Sequence, residues 1–534
     1  MQDRWYKDAL LYEVSVRTFQ DSNGDGIGDL RGLIRRLDYL AGLGVTCLWL
    51  LPFYPSPWRD DGYDITDHYA VHPELGDLGD FVDLVHAADD RGIRVIVDLV
   101  LNHTSNQHPW FLAGREGHPV FRDYYVWADR KPPDAATGVV FPGVQKSTWS
   151  FDRKAGRYYF HRFYDFQPDL NIANPAVRHE MEKIIGFWIE LGIAGYRLDA
   201  APYLIEPAGA EGIEPGPRFD YLHQLRDQLS WRRGDAALLG EANVDRDQVE
   251  DYFGPGGMHL LFNFEANRAL WLALARADAR PLVQALVDTT GIPRTDQWAT
   301  FVRNHDEIDL SKLSDEERGD VFAVFAPDPS MQLYERGIRR RIAPMLGGDR
   351  RRIELVFSLL LSMPGTPVLY YGDEIGMGED LSIPERGPVR TPMQWSDAPN
   401  AGFSSARRKD LPLPVIAKGA FGYRTVNVSE QQRDPASLLN WVERAIVARS
   451  EAPGFGTGTW RSLETGAKSV MALEYRHGEQ RTVTVHNLAN RRKRVRLGDV
   501  AGGWDIFANR PYPEQGADDV AIDGYGYRWI RLRG

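Results

Sequence analysis

Three short stretches, far apart in the chain, each set a carboxylate directly after an apolar run. They are Gly195-Tyr196-Arg197-Leu198-Asp199, Leu239-Gly240-Glu241-Ala242-Asn243 and Arg303-Asn304-His305-Asp306. The runs before them, Leu191 to Ala194, Ala236 to Leu239 and Trp298 to Val302, read as strands. As strands of one sheet they would deliver Asp199, Glu241 and Asp306 to one pocket. Cleavage of a glycosidic bond needs such a set: one carboxylate attacks and another donates a proton. A lone Asp after a strand is ordinarily a helix cap or a loop acid. The joint placement is what carries the chemical reading.

The elements that must position these acids alternate between strand-like and helix-like, the pattern of parallel βα units. Leu10 to Arg17 is the first expected strand and Leu30 to Leu43 the first expected helix. Val45 to Leu51 and Phe81 to Asp90 form the next pair, and Arg94 to Val100 a third strand. The latter is nearly all apolar, as a strand buried on both faces is. Five further strands are expected near Ile193, Ala237, Leu260, Ala299 and Pro367. Eight such units predict an α/β chain built as a (β/α)8 barrel. Residues 1–103 and 173–454 would form the catalytic barrel. Residues 104–172, rich in aromatics, Gly and Pro, would form an inserted small domain after strand three. From about Phe455 alternating residues and frequent turns predict a C-terminal antiparallel β-sandwich over 455–534. Ser311 to Asp349 is a second long excursion.

Composition narrows the function. The chain has 534 residues and a formal net charge of −12, with its acids scattered rather than in blocks. Nucleic acid is disfavoured, since binding it usually takes a clustered basic face. No apolar stretch reaches the roughly 20 residues of a membrane helix. Cys47 is the only cysteine. Inside Val45 to Leu50 it reads as an inert buried thiol. The first residues carry no basic-then-apolar signal pattern, so a cytoplasmic location is the expectation.

A metal site is also written locally. Asp21, Asn23, Asp25, the carbonyl of Ile27 and Asp29 place oxygens at alternate positions around a glycine turn. Hard cations take such loops, and Ca2+ in a structural role is the natural occupant. The loop starts like an EF-hand, but position twelve is Gly32 rather than Glu. The bland alternative is an Asx-rich turn without metal.

Asp98-Leu99-Val100-Leu101-Asn102-His103 joins the three acid-bearing segments as a fourth. In order and strand placement the four resemble the signature regions of the α-amylase family of glycoside hydrolases, over nearly the whole chain. The resemblance implies that Asp199 is the nucleophile, Glu241 the general acid and then base, and Asp306 the group that holds the hydroxyls of the distorted sugar. Arg197, two residues before Asp199 and so on the same strand face, would keep it ionised. Glu241 would need a raised pKa. His103 and His305 would donate hydrogen bonds to sugar hydroxyls. In Trp58-Arg59-Asp60-Asp61-Gly62-Tyr63-Asp64, Tyr63 would stack on the non-reducing glucose and Asp60 bind its outer hydroxyls, with Arg390 as a further clamp. Those end-closing residues imply a pocket and exo action. Asp98 reads as structural, orienting Arg197. The resemblance also implies a second Ca2+ site from Asn102, Asp169, Glu206 and the carbonyls of Tyr203 and Leu204, and it permits a homo-oligomer. No organic cofactor is expected.

Within that family, Trp49 to Pro57, Leu101 to Phe111, Gly337 to Pro344, Tyr370 to Gly378 and Asn427 to Pro435 resemble the trehalose synthases. These interconvert maltose and trehalose, small α-glucosides, through a covalent β-glucosyl-Asp intermediate, with some hydrolysis. The inserted domain and the Ser311 to Asp349 excursion would be lids that exclude water. Glu214 to Asp220 and Phe262 to Arg268, on the expected acceptor side, depart from the trehalose synthase pattern. A hydrolytic α-glucosidase, or an α-glucosyltransferase with another acceptor, is therefore the alternative. A non-catalytic amylase-like subunit is the remote one, since all three acids are present.

Overall fold

A computed structural model describes residues 4–207, 216–498, 500, 503–512 and 519–532. Eight short parallel strands close into a barrel: β1 (Leu11–Val14), β2 (Cys47–Leu50), β3 (Arg94–Leu99), β4 (Gly195–Leu198), β5 (Ala237–Gly240), β6 (Leu260–Phe262), β7 (Gln297–Phe301) and β8 (Thr366–Tyr370). Neighbours pair in chain order, and β8 returns to β1 with Leu11 opposite Val368. The strands are buried on both faces, which explains their continuous apolar character. At the start of β4 only glycine fits. Gly195 has φ +152°, and a Cβ there would meet the Ala237 carbonyl at 2.0 Å.

Helices sheathe the barrel, and their ends follow local chemistry. Asp77 and Asp80 form a reciprocal capping box that opens the helix Leu78–Asp89. Asn174 caps Pro175–Glu190, whose buried Met181, Ile184, Ile185 and Trp188 recur at helical spacing. Two expectations need correction. The first strand stops at Val14, and Val16–Phe19 forms a helical turn instead. The helix expected over Leu30 to Leu43 is two pieces, Leu30–Arg35 and Leu37–Leu43, broken at Arg36. The Arg36 side chain is drawn sideways: its Nε donates to Gln20 Oε1 at 2.7 Å and its guanidinium lies 3.9 Å over the Trp395 ring.

Three additions surround the barrel. After β3 a small antiparallel sheet (Trp127–Ala128, Trp149–Asp152, Arg157–Phe160) has its own apolar cluster of Val126, Ala135, Trp149 and Phe160. After β7 comes a second small sheet (Ile308–Asp309, Gln332–Leu333, Gly337–Ile338) with the helix Asp315–Phe325. The C-terminal part is an antiparallel sheet of Thr459–Ser462, Val470–His477, Gln480–Asn487, Tyr527–Leu532 and Trp504–Ala508, beside a pair formed by Lys493–Arg496 and Asp519–Ile522. It docks on the barrel helices Arg350–Ser362 and Leu438–Ser450. Trp529 Nε1 donates to Ser358 Oγ at 3.0 Å, and Trp441 Nε1 to Tyr527 Oη at 2.6 Å. Among the described residues no helix is long and apolar enough to cross a membrane.

Candidate active site

The guanidinium of Arg197, on β4, lies inside the C-terminal mouth of the barrel and is only 1 % exposed. Its Nη1 pairs with Asp199 and, at 2.7 Å, with Asp98 Oδ1; its Nη2 is 2.8 Å from Glu241 Oε2. Asp98 is held in turn by Trp49 Nε1 at 2.8 Å. Three carboxylates on three consecutive strands thus converge on one cation. Burial pushes Glu241 up to about 7; Arg197 opposes the rise, and the negative charges of Asp199 and Asp306 add to it. The chain turns sharply after Asp199. Ala200 is in the left-handed region (φ 48°, ψ 39°), which aims its N–H at Glu241 Oε2, 3.1 Å away. A non-glycine residue is strained in that conformation, and here it fixes one oxygen of Glu241.

Asp306, after β7, faces the same space. Its Oδ1 is 2.8 Å from Arg390 Nη2, 3.1 Å from Arg386 Nη1 and 3.4 Å from His305 Nε2. Burial alone would raise its pKa; Arg386 and Arg390 outweigh burial and hold the carboxyl well below the usual range. His305 Nδ1 meets Glu13 Oε1, from β1, at 2.5 Å. Its ring lies nearly parallel to Tyr63, with centroids 5.4 Å apart, and Nε2 is 2.9 Å from Tyr63 Oη.

A pocket of about 440 Å³ opens over these groups. Asp60, Tyr63 and His103 line one end, beside Asp199, Glu241 and Asp306. Gln167 Nε2 donates to Asp60 Oδ2 at 2.8 Å, and burial pushes Asp60 up to about 7 against the pull of Arg386 and Arg390. Phe163, Tyr203, Phe264, Asn243 and Arg336 also line the pocket, with Phe163 edge-on to His103 at 5.3 Å. A roof crosses the pocket where three separate excursions meet. Phe141 stacks on Tyr164 at 4.7 Å and packs on Tyr334 at 4.8 Å. Tyr164 Oη donates to Glu385 Oε2 and sits 2.9 Å from Tyr334 Oη. Arg386 lies 5.1 Å over the Phe141 ring. Left-handed non-glycine residues gather at these loops: Trp58 and Asp61, Ala200, Tyr334 and Glu335, and Glu385.

The residues singled out in the sequence separate into two layers. Asp60, Tyr63, His103, Asp199, Glu241 and Asp306 line the pocket. Arg197, His305 and Arg390 lie behind it. Arg390 spans Asp306 and Asp61 (Nη1 to Oδ2, 3.1 Å) and donates from Nε to the His305 carbonyl at 3.0 Å. His103 Nε2 is spent on the Tyr63 carbonyl at 3.1 Å. Arg386, Gln167 and Glu13 were not anticipated. A charged residue inside the four-residue strand β1 was the available signal for Glu13; Arg386 had none. Of the acceptor-side stretch Glu214 to Asp220, Glu214 and Pro215 lie outside the described residues.

The two expected metal sites differ. In the Asp21 loop the oxygens serve the backbone. Asp21 accepts from the amides of Asn23, Gly24 and Gly26 and from Ser404 Oγ, Asn23 accepts from Asp25, Asp25 from Ile27, and Asp29 from Ser22 and Gly32. These bonds fold the turn. Asn102, Asp169, Tyr203, Leu204 and Glu206 instead share the wall of a cavity of about 10 Å³, room for one water-sized occupant. Arg162 already stands beside these acids, its amide on Asp169 Oδ1 at 2.8 Å and its Nη2 3.4 Å from Glu206 Oε2. Among the described residues no group of three His, Cys, Asp or Glu side chains is arranged to hold a metal.

Comparison with known proteins agrees with this geometry. The model of the α-amylase catalytic domain matches residues 13–321 and 338–458. The trehalose synthase/amylase TreS of Mycolicibacterium smegmatis is 43 % identical, over 99 % of this chain and 93 % of its own length. A trehalose synthase of a Pimelobacter species is 40 % identical, over 99 % and 96 %. Among solved structures, MutB in complex with isomaltulose superposes with a TM-score of 0.82 at 26 % identity, covering 99 % of both chains. With its closed parallel barrel, its three acids at the strand ends and this match over most of its length, the chain belongs to the α-amylase family of glycoside-active enzymes.

Proposed function

We propose that the protein is a retaining α-glucosyl-transferring enzyme that isomerises maltose and trehalose. The observation that carries this reading is one guanidinium gripping both Asp199 and Glu241 under a roofed pocket. Two carboxyls held by one planar cation suit the short separation, about 5–5.5 Å, used for retention. Asp199 attacks the anomeric carbon while Glu241, protonated near neutral pH, gives its proton to the glycosidic oxygen. A β-glucosyl ester on Asp199 and a free glucose result. The glucose turns in the pocket, and Glu241, now a carboxylate, takes the proton from its anomeric hydroxyl. That oxygen attacks the anomeric carbon of the glucosyl ester and breaks its bond to Asp199, which returns the α-configuration and frees the carboxylate. Asp306, kept ionised by Arg386 and Arg390, grips the donor ring as positive charge develops. Tyr63 and Asp60 close the donor end.

Two facts favour isomerisation over plain hydrolysis. Phe141, in the pocket lining, is tied to Tyr164, Tyr334 and Glu385, a cover that would hold back the aglycone and hinder water, and relatives similar over 93 % or more of their own length carry the name trehalose synthase. Ca2+ at Asn102, Asp169, Tyr203, Leu204 and Glu206 is part of the proposal as a structural ion, as is, on fewer free oxygens, Ca2+ at Asp21, Asn23, Asp25, Ile27 and Asp29. A cytoplasmic setting and a homo-oligomer belong to it too, to be tested by fractionation and light scattering. The deciding experiment is product analysis by NMR after incubation with maltose. Trehalose with a minor share of glucose is expected. Glucose as the sole product would make the enzyme a hydrolytic α-glucosidase, and unchanged maltose would point to another glucoside.

A further inference from the structure

Arg336 is a cation in the pocket wall, and nothing in the catalytic scheme above uses it. It belongs to the tip of a hairpin. Leu333 pairs with Gly337, so Tyr334, Glu335 and Arg336 turn the chain. Tyr334 and Glu335 are both left-handed (φ 52° and 60°), although neither is glycine. Strain of that kind persists where the surroundings over-determine it. Here Gly337 is pressed on Glu307, and a Cβ there would meet Glu307 Cγ at 2.5 Å. The Arg336 carbonyl accepts from the Leu310 amide at 3.0 Å. The tip thus sends Tyr334 to the roof and Arg336 to the pocket.

The donors of Arg336 are uncommitted. Its Nη2 stands 3.6 Å from Glu307 Oε1 and its Nε 3.7 Å from Asp309 Oδ1, near enough for attraction and too far for hydrogen bonds. Among the described residues its side chain makes no hydrogen bond, and Nε is buried without a partner. Neither acid depends on it. Glu307 Oε2 takes Arg386 Nε at 2.8 Å, and the Asp309 oxygens take Asn243 Nδ2 and the Ser311 amide, both at 2.8 Å. A guanidinium presents a planar fork of N–H donors, which can bridge neighbouring sugar hydroxyls. Its position selects one of the two sugars. Asp60 and Tyr63 follow β2, whereas Asn243 follows β5, Phe264 follows β6, and Asp309 and Arg336 follow β7. In a closed ring of eight strands β2 and β6 lie opposite each other. With the donor glucose closed in by Asp60 and Tyr63, the far rim falls to the leaving sugar.

We propose that Arg336 is a substrate-binding residue for the aglycone: its guanidinium holds the hydroxyls of the glucose that leaves on cleavage and keeps that glucose, rather than water, in line for the glucosyl unit on Asp199. The inference rests on the glucosyl-transfer reading above, with its donor end at Asp60 and Tyr63, but not on which disaccharide is formed.

Arg336→Met tests it, since methionine fills similar space and has no N–H. α-Glucosyl fluoride forms the intermediate without a sugar leaving group, and glucose is added below saturation as the acceptor. The readout is disaccharide formed per fluoride released. That ratio is expected to fall about tenfold in the variant, while fluoride release itself falls far less. A wild-type ratio in Arg336→Met, or fluoride release that falls as far as disaccharide does, would overturn the proposal. Wild-type protein that releases fluoride and forms no disaccharide would overturn the transfer reading itself, and this inference with it. Should Arg336→Met not fold, Arg336→Lys keeps a charge toward Glu307 and Asp309 without the planar fork. A ratio lowered severalfold there supports the proposal, and an unchanged one ends it.

Discussion

Arg197 Nη2 stands 2.8 Å from Glu241 Oε2, so the proposed proton donor and the cation that charges the proposed nucleophile share a contact. Burial already raises Glu241 to about 7 with that contact in place. The acid form is needed for bond cleavage, so kcat/KM should fall as pH rises through about 7. In Glu241→Gln that alkaline limb should vanish along with most of the activity on maltose. Much less should be lost on α-glucosyl fluoride, whose leaving group needs no proton. A pH–rate series on both substrates checks this.

The same raised pKa affects stability. A carboxyl raised on folding contributes stability in full below its unfolded value near 4.5, and that contribution is lost as pH rises through about 7. Glu241→Gln should therefore gain stability relative to wild type between pH 5 and 8, by about 2–3 kcal/mol at the upper end. Urea melts at the two pH values measure the difference. No relative gain would mean that Glu241 is ionised throughout.

Arg197 compensates Asp98, Asp199 and Glu241 at once. Lysine offers one ammonium where three carboxylates sit. Arg197→Lys should lose about 3–5 kcal/mol of stability together with nearly all turnover. A melt within error of wild type would mean that the acids are neutral and need no cation.

The barrel and its three acids were legible because parallel βα units announce themselves as apolar runs followed by helical periodicity, and catalytic groups follow the runs. Asp199, Glu241 and Asp306 were found that way, and Arg197 from strand alternation. Burial of the second layer is set by tertiary packing. Arg386 and Arg390 lie four residues apart in one loop, and no local pattern tells which lines the pocket and which stands behind it. Glu13 looked like one polar residue in an apolar strand. The break at Arg36 arises from Gln20 and Trp395, the latter more than 300 positions away in the chain, so no local reading of Leu30 to Leu43 contains it.

Tyr164 ties the inserted domain to Glu385 and Tyr334. Removing its hydroxyl should loosen the roof without touching the acids. Tyr164→Phe should keep maltose consumption within a fewfold of wild type while raising the glucose share of the products severalfold. NMR integration of glucose against trehalose checks it. An unchanged ratio would place the water barrier elsewhere.

Ca2+ should raise the melting temperature and a chelator lower it. The response should shrink most in Asp169→Asn, which removes a charged ligand from the ion-sized cavity, and less in Asp25→Asn. The opposite pattern would assign the ion to the Asp21 loop.

Covalent capture tests the central claim most directly. Glu241→Gln supplied with α-glucosyl fluoride should form the ester on Asp199 and, lacking a general base, discharge it slowly. Intact-protein mass spectrometry should show a gain of one glucosyl unit, and peptide mapping should put it on Asp199. No adduct despite fluoride release, or an adduct on Asp306, would contradict a double displacement at Asp199.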